Sequence, residues 1–196
     1  MNFELVFIRH GESESNITKT MWNKEADFLM GITAKGREEA KATKQAIKNE
    51  SFDTIFSSDM IRTKETAEII FGDTHKILFD ERLREAYISI DKDVVFDYGN
   101  TPKDERVEMR LVWFTSWEAF ESQVKRIKSF MDMIMTGKYG KKIAIVTHNG
   151  CLRALECIFN NVSLKDALYL KRADNWWVRR LFITKNGNQI QASFSS

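Results

Sequence analysis

The chain has 196 residues, 43% of them hydrophobic and 30% charged, the composition of a globular unit rather than a linker or tail. Lys and Arg together number 30 and Asp and Glu 28, a formal charge of +2, too balanced for binding nucleic acid by bulk electrostatics, so any positive site is local. The early apolar run Leu5 to Ile8 is far shorter than the ~20 residues of a membrane-spanning helix or the ~7–15 of a signal-peptide core, so we read the chain as cytoplasmic, without membrane or nucleic-acid partners.

The opening run, residues 3–8, is β-branched and aromatic and stops abruptly at Arg9-His10-Gly11-Glu12-Ser13, as a buried strand does when it runs out into a polar loop. Thr33 suits the N-cap of a helix over 34–48, with Ala40, Ala46 and Ile47 on its buried face. Residues 52–57 read as a second strand. Ser58 or Asp59 is placed to cap a helix over 60–71, and 76–79 reads as a third strand before the charged run 80–85.

From about 87 to 115 no period survives, and the only proline, Pro102, lies there, so this stretch reads as an insertion. A helical pattern returns over 116–135 with Phe120, Val124, Ile127, Phe130 and Ile134 as its apolar stripe. Residues 142–147 form a fourth strand ending in Thr147-His148-Asn149-Gly150, followed by helices over 151–159 and 164–168. Asn186-Gly187 between the strand-like runs 178–185 and 189–194 signals a hairpin. The expected architecture is α/β: a three-layer sandwich with a mostly parallel central sheet flanked by helices, a C-terminal hairpin and a cap insertion, all in one domain over 1–196.

Cys151 and Cys157, six apart in a helical stretch, do not share a face, which argues against a disulfide and fits a reducing compartment. With only three histidines, no zinc-finger spacing is present. Two of those histidines, His10 and His148, each follow a buried strand. In a parallel sheet such strand ends share one edge, the ligand-binding edge of open α/β folds. Each alone is equally a hydrogen-bonded strand-end residue. Arg62 reads by itself as a helix-surface charge pairing with Glu65 or a neighbouring acid, and spacing does not choose between Glu81 and Glu85 as a working carboxyl.

Four segments taken in order decide among these. Arg9-His10-Gly11-Glu12-Ser13, residues 58–67 (SDMIRTKETA), Leu83-Arg84-Glu85 and Val146-Thr147-His148-Asn149-Gly150 resemble the motifs of the histidine phosphatase superfamily, in its phosphoglycerate mutase-like branch. Ile32-Thr33-Ala34-Lys35-Gly36 resembles that family's apolar-Thr-x-x-Gly pattern. The resemblance implies a metal-independent phosphatase, without cofactor, acting on phosphorylated small molecules. It makes His10 the nucleophile that becomes phosphohistidine, Glu85 the general acid, and Arg9, Arg62 and a protonated His148 the grip on the phosphate. It places Asn16 as a further phosphate contact, and the backbone N–H of Asn149 or of Gly150, at a helix start, is a candidate for another.

The stretch 20–31, TMWNKEADFLMG, lacks the Thr-Gly segment by which the mutases hold phosphoglycerate, which argues for a phosphatase over a mutase. Other readings are an idle phospho-ligand-binding domain and a metallophosphatase. The resemblance also implies that the insertion lies over the pocket, with Tyr87, Phe96, Tyr98, Trp113, Phe114, Trp117, Lys103, Arg106 and Arg110 as candidates for selecting the leaving group. Oligomeric state is left open.

Overall fold

The structure is a computed structural model that describes residues 1–18, 20–21, 24–86, 96–97, 100–111, 118–171, 173–175, 177–187 and 189–195; for residues 18, 20–21, 24–25, 96–97 and 110 it describes the backbone alone. In chain order the elements are β1 (Asn2–Arg9), α1 (Glu14–Thr18), β2 (Thr20–Met21), α2 (Lys24–Leu29), α3 (Ala34–Ala46), β3 (Thr54–Ser57), α4 (Ile61–Phe71), β4 (Ile77–Phe79), β5 (Phe96–Asp97), α5 (Lys103–Leu111), α6 (Phe120–Ile134), β6 (Lys142–Thr147), α7 (Asn149–Phe159), α8 (Leu164–Tyr169), β7 (Val178–Asn186) and β8 (Gln189–Ser195). A short 3-10 turn spans Glu81–Leu83.

The main sheet has the order β4-β3-β6-β1-β7-β8. β1, β3, β4 and β6 run parallel, and β7 and β8 add an antiparallel edge. Side chains alternate across this sheet with period two. Leu5, Phe7, Phe56, Ile143 and Ile145 face a core built with α6, α7 and α8, whereas Val6, Ile8, Ile55, Ala144 and Val146 face α3 and α4. Both faces are covered, which is why these strands read as continuous apolar runs. Each fully buried Leu, Ile or Phe contributes about 2 kcal/mol. Among the described residues no helix is long and apolar enough to cross a membrane.

Several local expectations are corrected. On α3 the buried positions are Gly36, Ala40 and Thr43, followed by Ile47 at its C-cap, while Ala46 is exposed. The helical period carries position 46 round to the solvent side. α4 is capped by neither Ser58 nor Asp59: its N-cap is Met60, without a side-chain bond. The hydroxyl of Ser58 and the carboxylate of Asp59 are engaged elsewhere in the site. α7 begins at Asn149, two residues earlier than expected. In the hairpin Asn186 pairs with Gln189, so the two-residue loop begins at Gly187 (φ 59°), one residue later than the Asn-Gly signal suggests.

The Thr-x-x-Gly pattern has a steric cause. Thr33 caps α3 by accepting the Gly36 N–H at 3.1 Å, and a Cβ at Gly36 would lie 2.2 Å from the Glu12 carbonyl oxygen. The loop that follows His10 therefore rests directly on the first turn of α3.

Most of the expected insertion lies outside the described residues, including Tyr87, Tyr98, Trp113, Phe114 and Trp117, as do Trp22 and Trp176 earlier and later in the chain. Within it, β5 pairs antiparallel with β2, and α5 packs on α6 and α8 through the buried Val107.

Candidate active site

Register builds the site. Arg9 pairs with Thr147 across β1 and β6, and Ser57 with Val146 across β3 and β6. His10, Ser58 and His148, the residues that follow, therefore emerge level at the carboxyl edge of the sheet. The His10 N–H donates to the Thr147 carbonyl at 3.1 Å and the Ser58 N–H to the Val146 carbonyl at 3.0 Å. The two imidazole centroids stand 5.1 Å apart, and both rings are buried.

His10 Nδ1 lies 2.8 Å from the Gly11 carbonyl oxygen. A carbonyl only accepts, so Nδ1 carries the proton and Nε2 keeps its lone pair. Burial, reinforced by His148, Arg62 and Arg9, holds the His10 pKa well below the ordinary 6.5. The turn at Gly11 is fixed by its N–H, which donates to Thr66 Oγ1 at 3.1 Å.

Burial first, and then Arg62, Arg126 and Arg9, lower the His148 pKa well below 6.5. Guanidiniums around a buried ring disfavour a further positive charge, so an imidazolium here calls for the negative charge of a phosphate beside it. His148 Nε2 shares a 3.0 Å hydrogen bond with Ser58 Oγ. Its Nδ1 is buried with no hydrogen-bond partner among the described residues, a costly state for a polar atom that a ligand acceptor or donor relieves.

Both shifts bear on stability. As pH falls through about 6.5 the unfolded chain takes up protons that the folded one refuses, so the folded state is favoured above that pH and loses ground below it. We expect the unfolding free energy to decline between about pH 6.5 and 5 by at most about 1.4 kcal/mol per histidine per pH unit, and the melting temperature to fall with it. Thermal melts across that window check this, and a His10→Asn, His148→Asn double variant should flatten the slope.

The segment 58–67 is a set of ties. Beyond the Ser58 bond to His148, Asp59 forms an ion pair with Arg84, Thr63 Oγ1 donates to the Met60 carbonyl at 2.7 Å, and Glu65 accepts the Ile32 N–H at 2.7 Å and Arg37 at 2.8 Å. Arg62 is therefore not paired with Glu65. It is 3% exposed, and its guanidinium forks onto Asp27, donating to Oδ1 at 3.3 Å, to Oδ2 at 3.2 Å and to the Asp27 carbonyl at 2.7 Å.

Glu85 reaches the site from the turn after β4. Its Oε1 accepts from the Ala86 N–H at 3.0 Å and from Gln123 Nε2 at 3.1 Å, and its Oε2 from the Gly150 N–H at 3.0 Å. The Gly150 N–H, one of the two backbone candidates for phosphate, thus holds the carboxylate, being in the first turn of α7 where it has no partner within the helix. The turn itself is pinned. Arg126 donates to the carbonyls of Arg84 (2.7 Å) and Glu85 (3.1 Å) while paired with Glu118 at 2.8 Å, and Thr147 Oγ1 donates to the Leu83 carbonyl at 2.9 Å. Cys151 Sγ joins at the Leu83 and Arg84 carbonyls, its thiol pushed up to about 11 by burial. Both cysteines are free.

Of the other expected contacts, Asn149 turns its Oδ1 to the Ala173 N–H at 2.9 Å, and Asn16 Oδ1 accepts from Ser13 N (3.3 Å) and Asn175 Nδ2 (2.9 Å). Arg9 donates to the Ala173 carbonyl, so residues 173–175 form a strap that orients Arg9, Asn16 and Asn149 together. Lys103 Nζ donates to the Tyr169 carbonyl at 3.1 Å, at the end of α8. Sequence reasoning missed Asp27, the strap, Arg126 and Gln123. Only Gln123 left a usable signal, an amide among the residues that α6 buries with Phe120, Ile127, Phe130 and Ile134.

Comparison with known proteins agrees with this geometry. An 88-residue stretch is 38% identical to a probable 2-carboxy-D-arabinitol-1-phosphatase of Arabidopsis thaliana, covering 41% of this chain but only 17% of that protein. Over 82% of its length the chain is 27% identical to phosphoserine phosphatase 1 of Hydrogenobacter thermophilus (78% of which is covered). It is 26% identical over 76% of its length to a probable phosphoglycerate mutase of Serratia proteamaculans (72% covered). The fold matches that of a mycobacterial glucosyl-3-phosphoglycerate phosphatase, with a TM-score of 0.82 at 17% identity over 99% of this chain and 97% of that one. The family model described as histidine phosphatase superfamily (branch 1) matches residues 5–195. With that match and this edge of two histidines and two arginines, the chain belongs to the histidine phosphatase superfamily.

Proposed function

We propose that the protein is a metal-independent phosphomonoesterase for phosphorylated small molecules, working through a phosphohistidine on His10. The observation that carries this reading is the state of the His10 ring: neutral, buried, and with Nδ1–H tied to the Gly11 carbonyl, so that Nε2 offers its lone pair. Nε2 attacks phosphorus while the P–O bond to the leaving group breaks and its electrons go to that oxygen, which takes a proton from Glu85. In the second half-reaction Glu85 takes a proton from water, the hydroxide oxygen bonds to phosphorus, and the P–N electrons return to Nε2.

Arg9, Arg62 and His148 supply the donors for the equatorial oxygens. A phosphate dianion between them reverses the electrostatics that keep His148 neutral, so binding and protonation of that ring support each other. The insertion at about 87–115 is read as the cap that selects the leaving group. The balanced charge and the two free thiols fit a cytoplasmic enzyme. Phosphatases and phosphoglycerate mutases both occur among the relatives, and the absence of a Thr-Gly segment in 20–31 favours hydrolysis over mutase chemistry.

Rapid quenching of the enzyme with a labelled aryl phosphate, chelator present, tests the mechanism. The expected result is an acid-labile, alkali-stable phosphoprotein with the label on a peptide containing His10. Turnover that depends on added divalent metal, or label on another residue, overturns it.

A further inference from the structure

Among the described residues the Glu85 carboxylate meets three N–H donors: the backbone N–H groups of Ala86 and Gly150, and the side-chain amide of Gln123. Three donors favour the anion. The reaction proposed above needs both forms, the acid in the first half and the anion in the second. Backbone N–H groups are fixed donors and serve only the anion. A glutamine amide is different, because turned over it presents a carbonyl oxygen that accepts a proton.

The surroundings are built for such an amide. Gln123 is fully buried, the one polar residue among the buried side chains of α6, and its Nε2 also donates to Cys151 Sγ at 3.7 Å. A Cβ at position 150 would lie 2.0 Å from Glu85 Oε1 and 2.8 and 2.9 Å from Gln123 Nε2 and Oε1. Only glycine leaves the carboxyl and the amide room to lie side by side against α7. We propose that Gln123 is a positioning residue for Glu85 whose amide serves both forms of the carboxyl, donating to the carboxylate and, turned over, accepting from the carboxylic acid.

Among the described residues, the other charged or titratable groups around Glu85 do not offer this. Arg126 of α6 is a permanent cation paired with Glu118, and the Cys151 thiol of α7 stays neutral. Arg84 is tied to Asp59. The pocket cations Arg9 and Arg62 are permanent, and in the free enzyme, whose groups kcat/KM reports, burial disfavours the charged forms of His10 and His148.

This inference rests on Glu85 acting as the acid, and the test separates the two. We would measure kcat/KM, which reports the first half-reaction, against pH for a nitrophenyl phosphate, whose leaving group needs no proton, and for a primary alkyl phosphate, whose leaving group does. Gln123→Met, which keeps the shape but not the polar atoms, should lose about tenfold on the alkyl ester and less than about twofold on the nitrophenyl ester. Losing a donor destabilises the anion, so the alkaline limb should move to higher pH. Gln123→Glu should move it further, through like charge, and decides the matter alone if Gln123→Met does not fold.

Equal losses on both esters with an unmoved limb would make Gln123 a packing residue and overturn the proposal. Glu85→Gln is the control. If it also shows no leaving-group preference, the assignment of Glu85 falls and takes this inference with it; if it shows one and Gln123→Met does not, only the inference falls.

Discussion

Replacing His10 with alanine should lower kcat/KM on a nitrophenyl phosphate by about 10⁴-fold or more, while the melting temperature stays within about 5 °C of the parent. That ester bypasses the need for an acid, so its loss reports the nucleophile alone. Among the described residues Cys151, the buried thiol of the site, is not placed to substitute, being held protonated and bonded to carbonyls. Steady-state assay of the variant with melting in parallel checks both halves. Retention of more than about a hundredth of the activity would move the nucleophile elsewhere.

Arg62→Lys is the second large effect, an expected loss of about 10²–10³-fold in kcat/KM although the charge is kept. The reason lies in the fork. Arg62 is gripped from one side by both oxygens and the carbonyl of Asp27, so its plane is fixed before any phosphate arrives. A lysine ammonium is a point donor that cannot satisfy Asp27 and reach a phosphate oxygen from one buried position. The weakened grip should also raise the inhibition constant for orthophosphate, measured by competition. A lysine variant with unchanged inhibition would mean that Arg62 only supports Asp27 and α2.

How much of this was legible in the sequence depends on the range of the forces involved. The strands, the helices and their order follow from apolar periods, which are local, and so does the Thr33 cap. The expectation that His10 and His148 meet followed from two buried strands ending in histidine, and it held because parallel pairing fixes both at one edge. Where local rules failed, a longer-range partner had won. Ser58 and Asp59 are good caps in isolation, yet His148 and Arg84 engage their polar groups, and the N-cap of α4 falls to Met60, whose N–H makes only a long 3.4 Å bond to Ser58 Oγ.

The sequence by itself determined the α/β class, the motif order and the residue types the chemistry needs, because covalent neighbours and hydrophobic period suffice for these. Only the tertiary structure decided their states. The tautomer and neutrality of His10, the neutrality of His148, the Asp27 fork on Arg62 and the triple hold on Glu85 each depend on burial and on groups remote in sequence. Desolvation and hydrogen-bond geometry act through space over a few ångströms, and no spacing along the chain encodes them.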